Sequence, residues 1–237
     1  PALVDQAVSH FGRVDVLVNN AGIIRREDAI NFSEKDWDDV MNINIKSVFF
    51  MSQAVAKQFI AQGQGGKIVN IASMLSYQGG IRVPSYTASK SGVMGITRLL
   101  ANEWASQGIN VNAIAPGYMA TNNTAALRAD DDRNAAILER IPAGRWGVPD
   151  DMMGPVVFLA SPASDYINGY TIAVDGGWLH SNRLDAYAAG TLWGTAAGLS
   201  TTNRWVSTSF TVGLPLDYPH WLEPDHVSIY YRVAVAF

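Results

Sequence analysis

No cysteine occurs among the 237 residues, which excludes disulfides, thiolate metal sites and cysteine nucleophiles. Histidine is nearly as scarce. The four present, His10, His180, His220 and His226, show no metal-ligand spacing, so no metal site is expected. Only 16% of residues are charged, and 17 basic against 21 acidic side chains leave a net charge of −4. That balance argues against a nucleic-acid or anionic-membrane partner. No apolar run reaches the ~20 residues of a transmembrane helix, and no charged-then-apolar signal segment opens the chain. The first residue is Pro1 rather than methionine, and it falls inside what reads as a helix. What the chain does have is apolar bulk: 48% of its residues are hydrophobic, enough to bury the core of one α/β domain with an appendage.

Composition shifts near residue 180. Residues 1–179 hold all five lysines, whereas 180–237 hold none and are rich in aromatics. In the first part, short apolar runs alternate with helical spacing. Strands are expected at Val14–Val18, Lys67–Ser73, Ile109–Ala115 and Tyr170–Val174. Helices are expected from Glu34, from Ser85 to Ala105, and from Pro149 to Ala160. This alternation implies crossover units and a parallel, doubly wound α/β sheet. After residue 180 the period becomes two, in Val206–Leu214 and Val227–Phe237, with turn residues at Asp217-Tyr218-Pro219-His220. An antiparallel β extension is expected there, giving a division into 1–179 and 180–237.

The chemistry-bearing residues fall between positions 19 and 121. Tyr86 and Lys90 are spaced i, i+4, so they share a helix face, and a nearby ammonium would lower a phenol from its usual ~10 toward neutrality. Ser73 ends one strand, Asn19-Asn20-Ala21-Gly22 another, and Pro116-Gly117 a third with Thr121 shortly after; Asn44 lies in a helix. Taken singly, each has an ordinary structural reading: a helix-face tyrosine, a helix cap, a core amide, a turn. Taken together, they cluster where open α/β sheets bind ligands, at the carboxyl ends of strands.

These motifs, with Asp175-Gly176-Gly177, resemble the short-chain dehydrogenase/reductase family in order and spacing from about Ala2 to Trp178. Further stretches, Ile24-Arg25-Arg26-Glu27-Asp28, Ser33–Asp39 and Ala115–Thr124, are similar to a bacterial subgroup acting in hexuronate and pectin catabolism. The resemblance implies an NAD-dependent, cytoplasmic and usually homotetrameric oxidoreductase. Its reaction would interconvert a hydroxyl and a ketone on a deoxy sugar acid, 2-dehydro-3-deoxy-D-gluconate or 2-deoxy-D-gluconate. It implies Tyr86 as acid/base, Lys90 as the group that lowers the Tyr86 pKa and binds the nicotinamide ribose, Ser73 as a hydrogen-bond donor to the reacting oxygen, and Asn44 as holder of a relay water. Asn19 would meet the adenosine side of NAD and Met119 and Thr121 the nicotinamide carboxamide, with Ala21, Gly22, Tyr86, Lys90, Pro116 and Gly117 also binding the cofactor. A carboxylate substrate needs an arginine, for which Arg26, Arg82 and Arg145 are unranked candidates.

Two departures qualify the resemblance. The family's Gly-rich strand-to-helix turn, which binds the pyrophosphate, is not seen. Gly63-Gln64-Gly65-Gly66-Lys67 follows a helix and precedes a strand, the reverse of the required order. The expectation is therefore a domain lacking its first βαβαβ part, with an exposed edge at Asp15–Val18. After residue 180 the chain is similar to the last strands of an outer-membrane β-barrel, ending in Phe237, although two or three strands cannot close a barrel. No membrane is expected for residues 1–179. An inactive or pseudoenzyme form, or an outer-membrane fragment, are the alternatives to an active dehydrogenase.

Overall fold

In the computed structural model, which describes residues 2–180 and the strands at 193–202, 206–217 and 228–235, the alternating runs of the first part form a parallel sheet. Its four strands are β1 (Val16–Asn19), β2 (Gly66–Ile71), β3 (Ile109–Pro116) and β4 (Thr171–Val174), side by side in chain order. Parallel neighbours need crossovers. These are α2 (Glu34–Met41) continuing into α3 (Ser47–Gln62), then α5 (Pro84–Trp104), then α8 (Met153–Ala160). The reversal of strand order that defines a doubly wound sheet does not occur among the described strands. Accordingly β1 pairs only with β2, and Val16 and Val18 on it are 36% and 39% exposed.

Side-chain alternation along the strands explains the layering. Ile68, Ile109 and Val111 face α3, α5 and α1 (Ala2–Phe11), packing with Val55, Phe59, Leu100 and Val4. Val69 and Ile114 face the opposite way and pack on Leu159 of α8. Local chemistry sets the helix limits. Ser33 caps α2, its hydroxyl accepting from the Asp36 N–H at 3.1 Å, and Pro84 occupies the first turn of α5. Gly63 ends α3 in the left-handed region at φ 69°, and a Cβ on Gly65 would lie 2.2 Å from the Gly108 carbonyl oxygen. This glycine cluster serves a helix stop and a close backbone approach. Between α2 and α3 the helix widens into a π turn over Asn42–Lys46.

The chain divides into two compact units, Pro1–Ser181 and Asn182–Phe237. In the second, β5 (Trp193–Thr202), β6 (Val206–Asp217) and β7 (Ser228–Val235) pair antiparallel in that order. Tyr218, Pro219, His220, His226, Val227 and Phe237 of the sequence reading lie outside the described residues. Among the described residues no helix is long and apolar enough to cross a membrane.

Candidate active site

The carboxyl ends of all four strands open onto one side of the sheet, and short turns there hold the polar residues close. The Met74 N–H donates to the Pro116 carbonyl at 3.1 Å, joining the turns after β2 and β3. The Gly117 N–H donates to Val174 O at 3.0 Å, and a Cβ on Gly117 would fall 2.6 Å from Asp175 Cα. Only glycine lets those two turns touch. Ser73 lies two residues beyond β2, where its Oγ accepts from the Leu75 N–H at 3.1 Å at the start of α4 (Leu75–Gln78).

Tyr86 and Lys90 do share one face of α5, with the Lys90 ammonium 5.8 Å from the centre of the Tyr86 ring. Their electrostatics differ from the sequence expectation. Burial pushes the Tyr86 phenol above the ordinary tyrosine range, while a hydrogen bond with Ser73 and the charge of Arg26 pull it back only in part. Proximity to a lysine implied a lowered phenol; desolvation reverses the direction because the half-buried ring has few charges to offset it. Lys90, only 3% exposed, is itself pushed down to about 8 by burial. Its Nζ donates to Ile71 O at 2.6 Å, which leaves further N–H capacity facing the site.

Asn44 sits in the π turn with no exposed surface. Its Oδ1 accepts from the Ile23 N–H at 2.8 Å, and its Nδ2 donates to Ile23 O at 2.9 Å and to Ser89 Oγ at 3.2 Å. Both ends of the Asn44 amide are thus engaged in clamping Ile23. Gly22 packs against this clamp: a Cβ there would meet Asn44 Oδ1 at 3.4 Å and Lys90 Nζ at 3.5 Å. Asn19 also turns inward. Its Nδ2 donates to Ser52 Oγ at 3.0 Å and Asn70 Oδ1 at 2.8 Å, and Asn70 in turn donates to Thr97 at 2.9 Å. The Asn19 amide is therefore part of a ladder of hydrogen bonds linking β1, β2, α3 and α5. Ala21 and Asn20 line a recess of about 310 Å³ at the end of β1, with Leu17, Val18 and Met51. Met119 bridges to Gly147, where a Cβ would lie 2.5 Å from its sulfur, and the Thr121 N–H donates to Thr124 Oγ1 at 3.2 Å.

A pocket of about 490 Å³ takes Ser73 and Tyr86 as part of its wall, together with Arg26, Arg82 and Arg133. Two of the three candidate arginines therefore line it. Arg26 donates to Asn123 O at 3.1 Å, and its charge acts on the Tyr86 phenol. Arg82 also reaches the pocket but is paired with Asp28 at 3.0 Å. Arg145 is not in it. Its guanidinium grips Asp151 through two hydrogen bonds of 2.8 Å, beside a separate hollow near Met119. Sequence reasoning missed Arg133, on α7 (Asp131–Arg140), because only the folded segment 118–140 carries that helix over the site. That segment is fastened at both ends. Gly117 is held by β4, and the Ala143 N–H donates to Gly176 O at 3.0 Å. Beneath it, Tyr118 stacks edge-on against Trp146 and Trp178. Among the described residues no group of His, Asp and Glu is placed to hold a metal ion.

The comparisons cover this same unit. A family model described as enoyl-(acyl carrier protein) reductase matches residues 1–179. The 2-dehydro-3-deoxy-D-gluconate 5-dehydrogenase of Escherichia coli K12 is 81% identical over 179 residues, covering 76% of this chain and 71% of that protein. The protein of the same name from Bacillus subtilis is 57% identical over 180 residues, covering 75% of this chain and 70% of its own. A solved structure of a 2-deoxy-D-gluconate 3-dehydrogenase from Agrobacterium tumefaciens, with bound NADP, superposes with a TM-score of 0.70 at 62% identity, covering 75% of this chain and 74% of that one. A gluconate 5-dehydrogenase from Burkholderia cenocepacia, in complex with NADP and tartrate, gives a TM-score of 0.74 at 42% identity, covering 76% and 70%. These matches lend no support to the barrel-end resemblance after residue 180. They agree with the strand-end cluster on one point, that the chain is an oxidoreductase and belongs to the short-chain dehydrogenase/reductase family.

Proposed function

We propose that this chain carries the reacting centre of a nicotinamide-dependent oxidoreductase that interconverts a hydroxyl and a ketone on a deoxy sugar acid of the 2-dehydro-3-deoxy-D-gluconate type. The observation that carries the reading is a single pocket with Ser73 and Tyr86 on its wall and the guanidinium groups of Arg26 and Arg133 around it. A ketone oxygen between Ser73 and Tyr86 receives a hydrogen bond from the Ser73 hydroxyl and a proton from the Tyr86 phenol. In the oxidative direction the Tyr86 oxygen takes that proton back. Burial raises the phenol above the ordinary tyrosine range, which favours its protonated, donating form. A carboxylate a few bonds away reaches Arg26, with Arg133 as a second cation. The relatives' names point to the same substrate class.

The residues fit the nicotinamide end of a dinucleotide. The buried Lys90 ammonium has donor capacity beyond Ile71 O, suited to ribose hydroxyls, and Gly22 lets the loop after β1 close against Lys90 and Asn44. Ala21, Tyr86, Pro116, Met119 and Thr121 complete that surface, and the apolar recess beside Ala21 suits the adenosine end. When bound, the dinucleotide supplies or accepts the hydride. The family resemblance suggests NAD, while the two solved relatives hold NADP, so both belong in the assay. The test is turnover of 2-dehydro-3-deoxy-D-gluconate and 2-deoxy-D-gluconate with either dinucleotide, followed by nicotinamide absorbance. Tyr86→Phe is expected to lose about a thousandfold in rate with unchanged melting. A near-normal rate in that variant refutes the assignment.

A further inference from the structure

Ser89 stands between the two helical residues of the reacting centre and the clamp formed by Asn44. Its hydroxyl, in a residue with no exposed surface, donates to Tyr86 O at 2.9 Å and accepts from Asn44 Nδ2 at 3.2 Å. We propose that Ser89 is a positioning residue, pinning the Asn44 turn to the start of α5 and thereby setting where Tyr86 and Lys90 stand. The inference rests on the reading of Tyr86 as the proton-transfer group.

A serine that bonds back to its own helix is commonplace and by itself means little. Two facts give this one a direction. The same Asn44 amide holds both polar atoms of the Ile23 peptide, so Ser89 joins the loop after β1, the π turn and α5 through one buried chain of hydrogen bonds. Lys90 follows Ser89 directly, and its Nζ lies against the Gly22 position next to that loop. Two helical turns further on, Thr97 has the same pattern: it donates to Val93 O at 2.8 Å and accepts from Asn70. Thr97 ties α5 to the sheet, away from Tyr86, and so serves as a built-in control of equal architecture. Removing the Ser89 hydroxyl leaves the Asn44 amide N–H without that acceptor in a site closed to water, so the Asn44 clamp on Ile23 is expected to loosen.

The test uses the full chain and two measurements. Amide hydrogen exchange at Ile23 is expected to speed up about tenfold in Ser89→Ala and to stay at the wild-type rate in Thr97→Val, even where both melt at lower temperature. Steady-state kinetics are expected to show kcat down about tenfold in Ser89→Ala with the sugar-acid KM little changed, and Ser89→Thr, which keeps the hydroxyl, recovering most of the loss. Unchanged Ile23 exchange in Ser89→Ala overturns the pin. Faster exchange with wild-type kcat, or equal loss of kcat in Thr97→Val, overturns the positioning role. Those outcomes leave the Tyr86 assignment untouched, since it falls only if Tyr86→Phe keeps its rate.

Discussion

The reacting centre and the cationic rim of the pocket lie side by side and are built in opposite ways. At the centre, Asn44, Ser89 and Lys90 are buried, and each polar atom is bound to a neighbour from another element. At the rim, Arg26, Arg82 and Arg133 are exposed on loops and one helix, and Arg82 spends its charge on a neighbouring acid. A buried centre defines geometry, because a half-satisfied network costs more than any alternative rotamer. An exposed rim supplies charge without fixing geometry, since solvent screens each pair. On the proposed reading, chemistry and selectivity fall to different structural regimes.

Lys90 offers the largest test of that contrast. Its folded value of about 8 lies below the usual 10.5, so between those limits the unfolded chain binds a proton that the native chain does not. Native stability should therefore rise with pH across that window, by roughly 3 kcal/mol relative to Lys90→Met. Urea unfolding of both proteins at about pH 7 and about pH 10 reads the difference. If it is flat, Lys90 is not desolvated and the centre is no more buried than the rim.

A smaller effect is expected at the rim. Arg26→Met should raise the KM for the sugar acid about tenfold while kcat changes little, because it removes charge from the pocket and leaves the Asn44–Ser89 pin in place. A fall in kcat of the same size would place Arg26 within the centre. The smallest effect belongs to Arg145, which lines the other hollow and is committed to Asp151. Arg145→Met should alter KM and kcat less than about twofold. An effect as large as that of Arg26 would undo the ranking of the arginines.

How much the sequence disclosed follows the same division. The placement of Tyr86 and Lys90 on one helix face, of Ser73 just after β2 and of Pro116-Gly117 at the end of β3 was legible because helix period and strand ends hold them at constant offsets. The four strands of the first unit were legible for the same reason, to within about two residues at their limits. Asn19 was not: its partners, Ser52 and Asn70, are 33 and 51 positions away, and nothing local shows that its amide turns inward. Arg133 was hidden because its relevance depends on where α7 is folded. The direction of the Tyr86 shift was misjudged because spacing reports a neighbouring charge but not the loss of water around it. β5 escaped as well, its Gly, Ala, Ser and Thr residues giving little alternation to read.

The fastening of segment 118–140 at both its ends gives it a modular character. It enters at Gly117, closed against Asp175, and leaves at Ala143, bonded to Gly176, over a floor of Tyr118, Trp146 and Trp178. Both anchors are made on β4 and the turn that follows it. On the proposed reading, sequence drift within this cartridge, Arg133 included, would re-tailor which acid the pocket admits, while Tyr86, Lys90 and Asn44 lie outside it.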